Sequence, residues 1–143
     1  MKPGSGRRTL LIAAAIAIAA VAGYTLLGSQ PGAGTAAITH LGPEAFMERM
    51  QGDPGAVVVD VRTPAEFQSG HLPGAINVEL DRLEGLASTA LPDRNARLLV
   101  YCRSGNRSSF AVNILEKQGY TRLVNMTGGI AQWSAQGYPV VVP

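Results

Sequence analysis

Two unbroken apolar runs constrain this chain more than any other feature. Ala56-Val57-Val58-Val59-Asp60-Val61 is rich in β-branched residues, and Arg97-Leu98-Leu99-Val100-Tyr101 is a second run without polar alternation. A strand with one wet face alternates apolar and polar side chains, whereas a continuous run marks a strand covered on both faces. Such cover calls for a parallel sheet between two layers of helix. The intervening segments supply the helices. Residues 43–50 start with Pro43 at a helix N-terminus and carry Phe46, Met47 and Met50 as apolar contacts. Thr63-Pro64-Ala65-Glu66 reads as a short helix start, with Thr63 as N-cap and Pro64 at the first helical position. Residues 80–86 read as helix. Residues 108–118 form another, with Ala111, Ile114 and Leu115 on one face and Gly119 as its stop. A short helix at 130–135 precedes Gly137. Short strands are expected at Ala37-Ile38-Thr39, Ala75-Ile76-Asn77-Val78 and Leu123-Val124-Asn125-Met126.

The first 37 of the 143 residues have a different character. Residues 1–8 are positive, through Lys2, Arg7 and Arg8. Residues 9–28 carry no charge, and residues 29–37 are small and turn-prone. This is the layout of a signal peptide or an N-terminal membrane anchor with a short linker. Twenty residues of helix span about 30 Å, the thickness of a bilayer core. The positive flank favours a cytoplasmic N-terminus, which places residues 38–143 in the bacterial periplasm or at the periplasmic face of the inner membrane. Ala20-Val21-Ala22 offers a cleavage pattern, the full length suits an anchor, and Arg7-Arg8-Thr9-Leu10-Leu11 weakly matches a twin-arginine export signal. A buried core helix is disfavoured, because nothing else in the chain could cover 20 apolar residues on all sides.

Composition excludes several functions. Hydrophobic residues make up 46%, a globular value. The formal charge of +2 hides an asymmetry: three of the twelve basic residues lie in the leader, while all ten acidic residues follow it. The domain is therefore slightly negative, without the basic stripe of a nucleic-acid binder. One cysteine and two histidines, His40 and His71, rule out a disulfide framework and a multi-cysteine or histidine-rich metal centre. No metal and no cofactor are expected.

The chemistry is concentrated in Cys102-Arg103-Ser104-Gly105-Asn106-Arg107-Ser108, which joins a buried strand to a helix. Ligands of open α/β sheets bind at the carboxyl ends of strands. A helix N-terminus adds free N–H groups and partial positive charge, and Gly105 lets successive amides turn inward as an anion-binding nest. Arg103 and Arg107 add full charges. These surroundings lower a cysteine pKa and make Cys102 a nucleophilic thiolate. The bland alternative, a small buried hydrophobe, suits an apolar helix better than this polar loop.

At these residues the chain resembles the single-domain rhodaneses, a family of sulfurtransferases. The resemblance covers about residues 38–143. It rests on Asp60-Val-Arg-Thr-Pro-Ala-Glu-Phe67, Gly70-His-Leu-Pro-Gly-Ala-Ile-Asn77, the Cys102 loop, Gly128-Gly129, Trp133 and Gly137-Tyr138-Pro139, in that order. It implies a rhodanese-like α/β fold with a five-stranded parallel sheet, and a persulfide carried on Cys102. The implied partners are a small anionic sulfur donor such as thiosulfate and a thiol or cyanide acceptor. Four residues separate Cys102 from Arg107; related dual-specificity phosphatases have five, enough to enclose phosphate. A phosphatase or arsenate reductase is thus disfavoured, and a non-catalytic binding or sulfur-carrier module is the other alternative.

The remaining residues receive supporting roles. Arg107 is expected to point at the anion, and Arg103 to face the mouth. Ser104, Gly105, Asn106 and Ser108 are expected to act through backbone N–H groups, with Ser108 also capping the helix. Asp60 is expected to hold the loop or Arg62, and Arg62 and Glu66 to line or brace the site. His71 and Trp133 read as structural.

Overall fold

The computed structural model describes residues 36–143. Within them five strands form one parallel sheet: β1 (Ala37–Leu41), β2 (Val57–Asp60), β3 (Ile76–Asn77), β4 (Arg97–Tyr101) and β5 (Arg122–Met126), in the order β1-β5-β4-β2-β3. Five helices connect or follow them: α1 (Pro43–Gly52), α2 (Pro64–Gln68), α3 (Leu80–Ala90), α4 (Asn106–Lys117) and α5 (Gly129–Ala135).

Strand alternation divides the core into two layers. Val59, Leu98, Val100 and Leu123 pack with Leu83 and Ala87 of α3 and with Ala111, Val112 and Leu115 of α4. Val58, Leu99, Tyr101 and Val124 pack on the other side with Phe46 of α1 and with Ile130 and Trp133 of α5. The two apolar runs are therefore covered on both faces, as their lack of alternation requires. Trp133 is fully buried. It meets Phe46 edge-on at 6.4 Å between ring centroids and donates its indole N–H to Pro139 O at 2.9 Å.

Local signals explain most boundaries. The Thr63 hydroxyl accepts from the Glu66 N–H at 3.2 Å, and the Glu66 carboxylate accepts from the Thr63 N–H at 3.0 Å, a complete capping box. Four of these expectations change most. The third strand shortens to two residues, and α3 extends to Ala90, where it buries Ala87. Helix α4 begins at Asn106, two residues before the expected 108, because Gly105 turns the chain in a single step at φ 101°. Gly105 is the N-cap, so Ser108 lies inside the first turn and does not cap it. The expected apolar leader, residues 9–28, lies outside the described residues. No helix among those described is long and apolar enough to cross a membrane.

Connectivity places the site. From β2 the chain moves outward to β3, and from β4 it moves the other way to β5. Neighbouring strands whose connections diverge leave a crevice at their carboxyl ends. Asp60 of β2 lies in register with Tyr101 of β4, so that crevice opens between residues 60–63 and the Cys102 loop.

Trp133 anchors the layer that carries α5. Trp133→Ala is expected to destabilise the domain by about 3–5 kcal/mol, the cost of emptying a buried aromatic site. Urea unfolding followed by circular dichroism measures it.

Candidate active site

Cys102 is the first residue past β4 and is 1% exposed. Its sulfur is the focus of inward-turned donors. The Gly105 N–H donates to Sγ at 3.1 Å, and the Ser108 hydroxyl lies 3.4 Å from it. That hydroxyl also lies 3.1 Å from Gly105 O. It has one proton, so it serves the carbonyl beside a neutral thiol and turns to the sulfur when the thiolate forms. Burial pushes the Cys102 pKa up, but donation from Ser108, Gly105 and Ser104 outweighs it and holds the thiol below its ordinary value.

The loop is held from behind by the start of α5. The Ile130 N–H donates to Cys102 O at 2.9 Å, and the Ala131 N–H to Arg103 O at 3.0 Å. A trans peptide points its N–H opposite its C=O. Fixing Arg103 O on α5 therefore aims the Ser104 N–H at the sulfur side. The approach is so close that a Cβ on Gly129 would fall 2.4 Å from Arg103 O, well inside contact distance. Gly105 is similarly confined, with Gly128 N 3.2 Å from where its Cβ would be.

Beside the loop, Asp60 and Arg62 form a closed, buried pair. Arg62 Nη2 donates to Asp60 Oδ2 at 2.7 Å and Nε reaches both carboxylate oxygens at 3.0 Å; Nη2 also donates to Gly70 O at 2.7 Å. Asp60 thus holds Arg62, which in turn holds the Gly70 turn; among the described residues no side-chain hydrogen bond joins Asp60 to residues 102–108. Arg107 also departs from expectation. Its Nη1 and Nη2 donate to Glu66 Oε2 and Oε1, each at 2.8 Å, so its charge is engaged and does not stand free toward an anion. The physical reason is geometric: a planar guanidinium meets a carboxylate already oriented by the α2 capping box. Arg107 holds the Glu66 pKa down to about 2, against opposing burial and with help from Thr63.

Residues 43–136 match the rhodanese-like domain family. This chain belongs to that family. The rhodanese-like domain is 35% identical over 106 residues to a sulfurtransferase of Allochromatium vinosum, covering 74% of this chain and 97% of that one. It is 41% identical over 70 residues to the thiosulfate sulfurtransferase PspE of Escherichia coli, covering 49% of this chain and 67% of that one. Among solved structures, a rhodanese-related protein of Thermoplasma volcanium superposes with a TM-score of 0.63 at 30% identity, covering 73% of this chain and 99% of that one.

In this rhodanese-like domain, Cys102, Ser104, Gly105 and Ser108 converge on one point. Arg103 and Asn106 are exposed, and Arg103 contributes its backbone carbonyl to the loop's anchorage. His71 stacks on Phe67 at 3.8 Å, and its Nδ1 lies 3.0 Å from Phe67 O. Together with its backbone pairing to Val141, this makes it a structural residue. Sequence reasoning left Gly128 and Gly129 without a mechanical role and missed the amides of Ile130 and Ala131. The available signal was a Gly-Gly pair one residue after a strand, a mark of close backbone approach.

Ser108→Ala removes one donor to the thiolate without adding bulk. The pH profile of iodoacetamide labelling is expected to move to higher pH, with slower labelling at neutral pH and no loss of fold. The sign follows from the charged form losing its partner while the thiol keeps its surroundings.

Proposed function

We propose that this protein is a thiosulfate-type sulfurtransferase in which Cys102 carries the moving sulfur. The observation that carries the reading is the set of donors around Cys102, a sulfur just past β4 met by the Gly105 amide at 3.1 Å and the Ser108 hydroxyl at 3.4 Å. The sulfurtransferase names of the relatives support it.

The thiolate attacks the outer sulfur of thiosulfate or a similar donor. A Cys102 Sγ–S bond forms, the donor S–S bond breaks, and sulfite departs with the electron pair. The outer persulfide sulfur carries the negative charge, which inward amides stabilise. A thiol or cyanide acceptor then attacks that sulfur, and Cys102 leaves as thiolate. No proton has to move within the site in the first step. Cys102 is the only cysteine in the chain, so no second thiol can resolve the persulfide internally. The loop amides already close on one sulfur atom, which favours sulfur over the larger phosphate group.

Thiosulfate is expected to add the mass of one sulfur atom to the intact protein, and cyanide to remove it as thiocyanate. Cys102→Ser is expected to do neither, since a hydroxyl near its normal pKa is a poor nucleophile. Hydrolysis of p-nitrophenyl phosphate by a wild type that gains no sulfur would replace this reading with the phosphatase one. A wild type that does neither would point to a binding module.

The sequence pattern of residues 1–37 supports a working place outside the cytoplasmic membrane. Protease added to spheroplasts is expected to digest residues 38–143. Protection with the inner membrane intact would place the domain inside.

A further inference from the structure

We propose that Glu66 is a specificity-determining residue for the sulfur donor: by gripping the Arg107 guanidinium at the Cys102 loop, it weakens the site's hold on dianionic donors relative to monoanionic ones. The proposal rests on the sulfurtransferase reading above and concerns which anions that site prefers.

The charges around Cys102 cancel in pairs. Asp60 and Arg62 neutralise each other in the interior, with side chains 0% and 6% exposed. Glu66 and Arg107 form a second pair, with side chains 30% and 35% exposed, so solvent reaches it. Arg107 immediately precedes Ser108, whose hydroxyl approaches the sulfur, and so stands at the first turn of α4 beside the site. Arg103 makes no ion pair among the described residues and is exposed. With Cys102 as thiolate, Arg103 is its only uncompensated counterpart in the loop. An incoming donor therefore meets a pocket whose attraction comes from amide dipoles more than from net charge.

The grip has a structural reason to persist. Glu66 Oε2 also accepts from the Thr63 N–H and the Thr63 hydroxyl, each at 3.0 Å. The carboxylate is therefore fixed by α2 before it meets α4. Coulomb attraction scales with the product of charges, so a neutralised Arg107 costs a dianion about twice what it costs a monoanion. Thiosulfate and an arenethiosulfonate separate these cases. Both deliver a terminal sulfur to the thiolate with cleavage of one S–S bond. One releases sulfite and the other an arenesulfinate, each leaving with the electron pair.

The test compares KM and kcat for thiosulfate and benzenethiosulfonate, with cyanide as acceptor, in wild type and Glu66→Gln. Glutamine keeps the capping-box acceptor but removes the charge. KM for thiosulfate is expected to fall about fivefold at low salt, the upper end for one partly exposed charge interaction. The fall for benzenethiosulfonate is expected to be about twofold, half as large on a logarithmic scale. The kcat values should stay close to wild type, and the difference between donors should shrink at high salt. Arg107→Gln, which leaves Glu66 unpaired, should shift the donor ratio the opposite way and covers the case of a misfolded Glu66 variant. Equal changes for both donors in folded variants would overturn the proposal while leaving sulfur transfer intact. A wild type that takes sulfur from neither donor would instead overturn the sulfurtransferase reading, and this inference with it.

Discussion

The site depends on two hydrogen bonds that do not touch the sulfur. Ile130 and Ala131 hold the carbonyls of Cys102 and Arg103, and Gly129 leaves the space for that approach. With its carbonyls fixed on α5, the loop presents amides toward Cys102. An isolated loop of this composition would spend its N–H groups on water. Here they are preorganised, so stabilising a sulfur anion needs no rearrangement when the charge arrives. Such donors resist the desolvation that a 1% exposed thiol would otherwise suffer.

The charged side chains play a different part from the amides. Asp60 and Arg62 join the end of β2 to the Gly70 turn, and Glu66 and Arg107 join α2 to α4. The first pair braces the connection between β2 and β3, and the second joins the helices that follow β2 and β4. Their cations are largely spent on carboxylates, and the chemistry at Cys102 draws on dipoles at close range. A buried pair such as Asp60–Arg62 adds little net stability, but loss of either partner would strand a charge.

Much of this was legible in the sequence because it is local. The Arg97–Tyr101 strand, the Thr63 cap with its Glu66 partner and the nucleophile in a glycine-containing loop all follow from neighbouring residues. What was not legible depends on distance along the chain. Arg107 meets a carboxylate 41 positions away, so its spacing to Cys102 says nothing of its engagement. The early start of α4 depends on a positive φ at Gly105, which composition permits but does not dictate. The function of Gly129 emerges only when the segment after β5 lies against the one after β4.

Strand order gives these contacts a history. Among the described strands β1 pairs only with β5, so the first of them waits for the last. Pairing of chain ends so far apart is slow to form. The segment that turns the Cys102 amides inward also follows β5. The donors that hold the Cys102 pKa down therefore rest on backbone contacts supplied from beyond β5. The chemistry at Cys102 is in this sense tied to the docking of a segment that lies far from it along the chain.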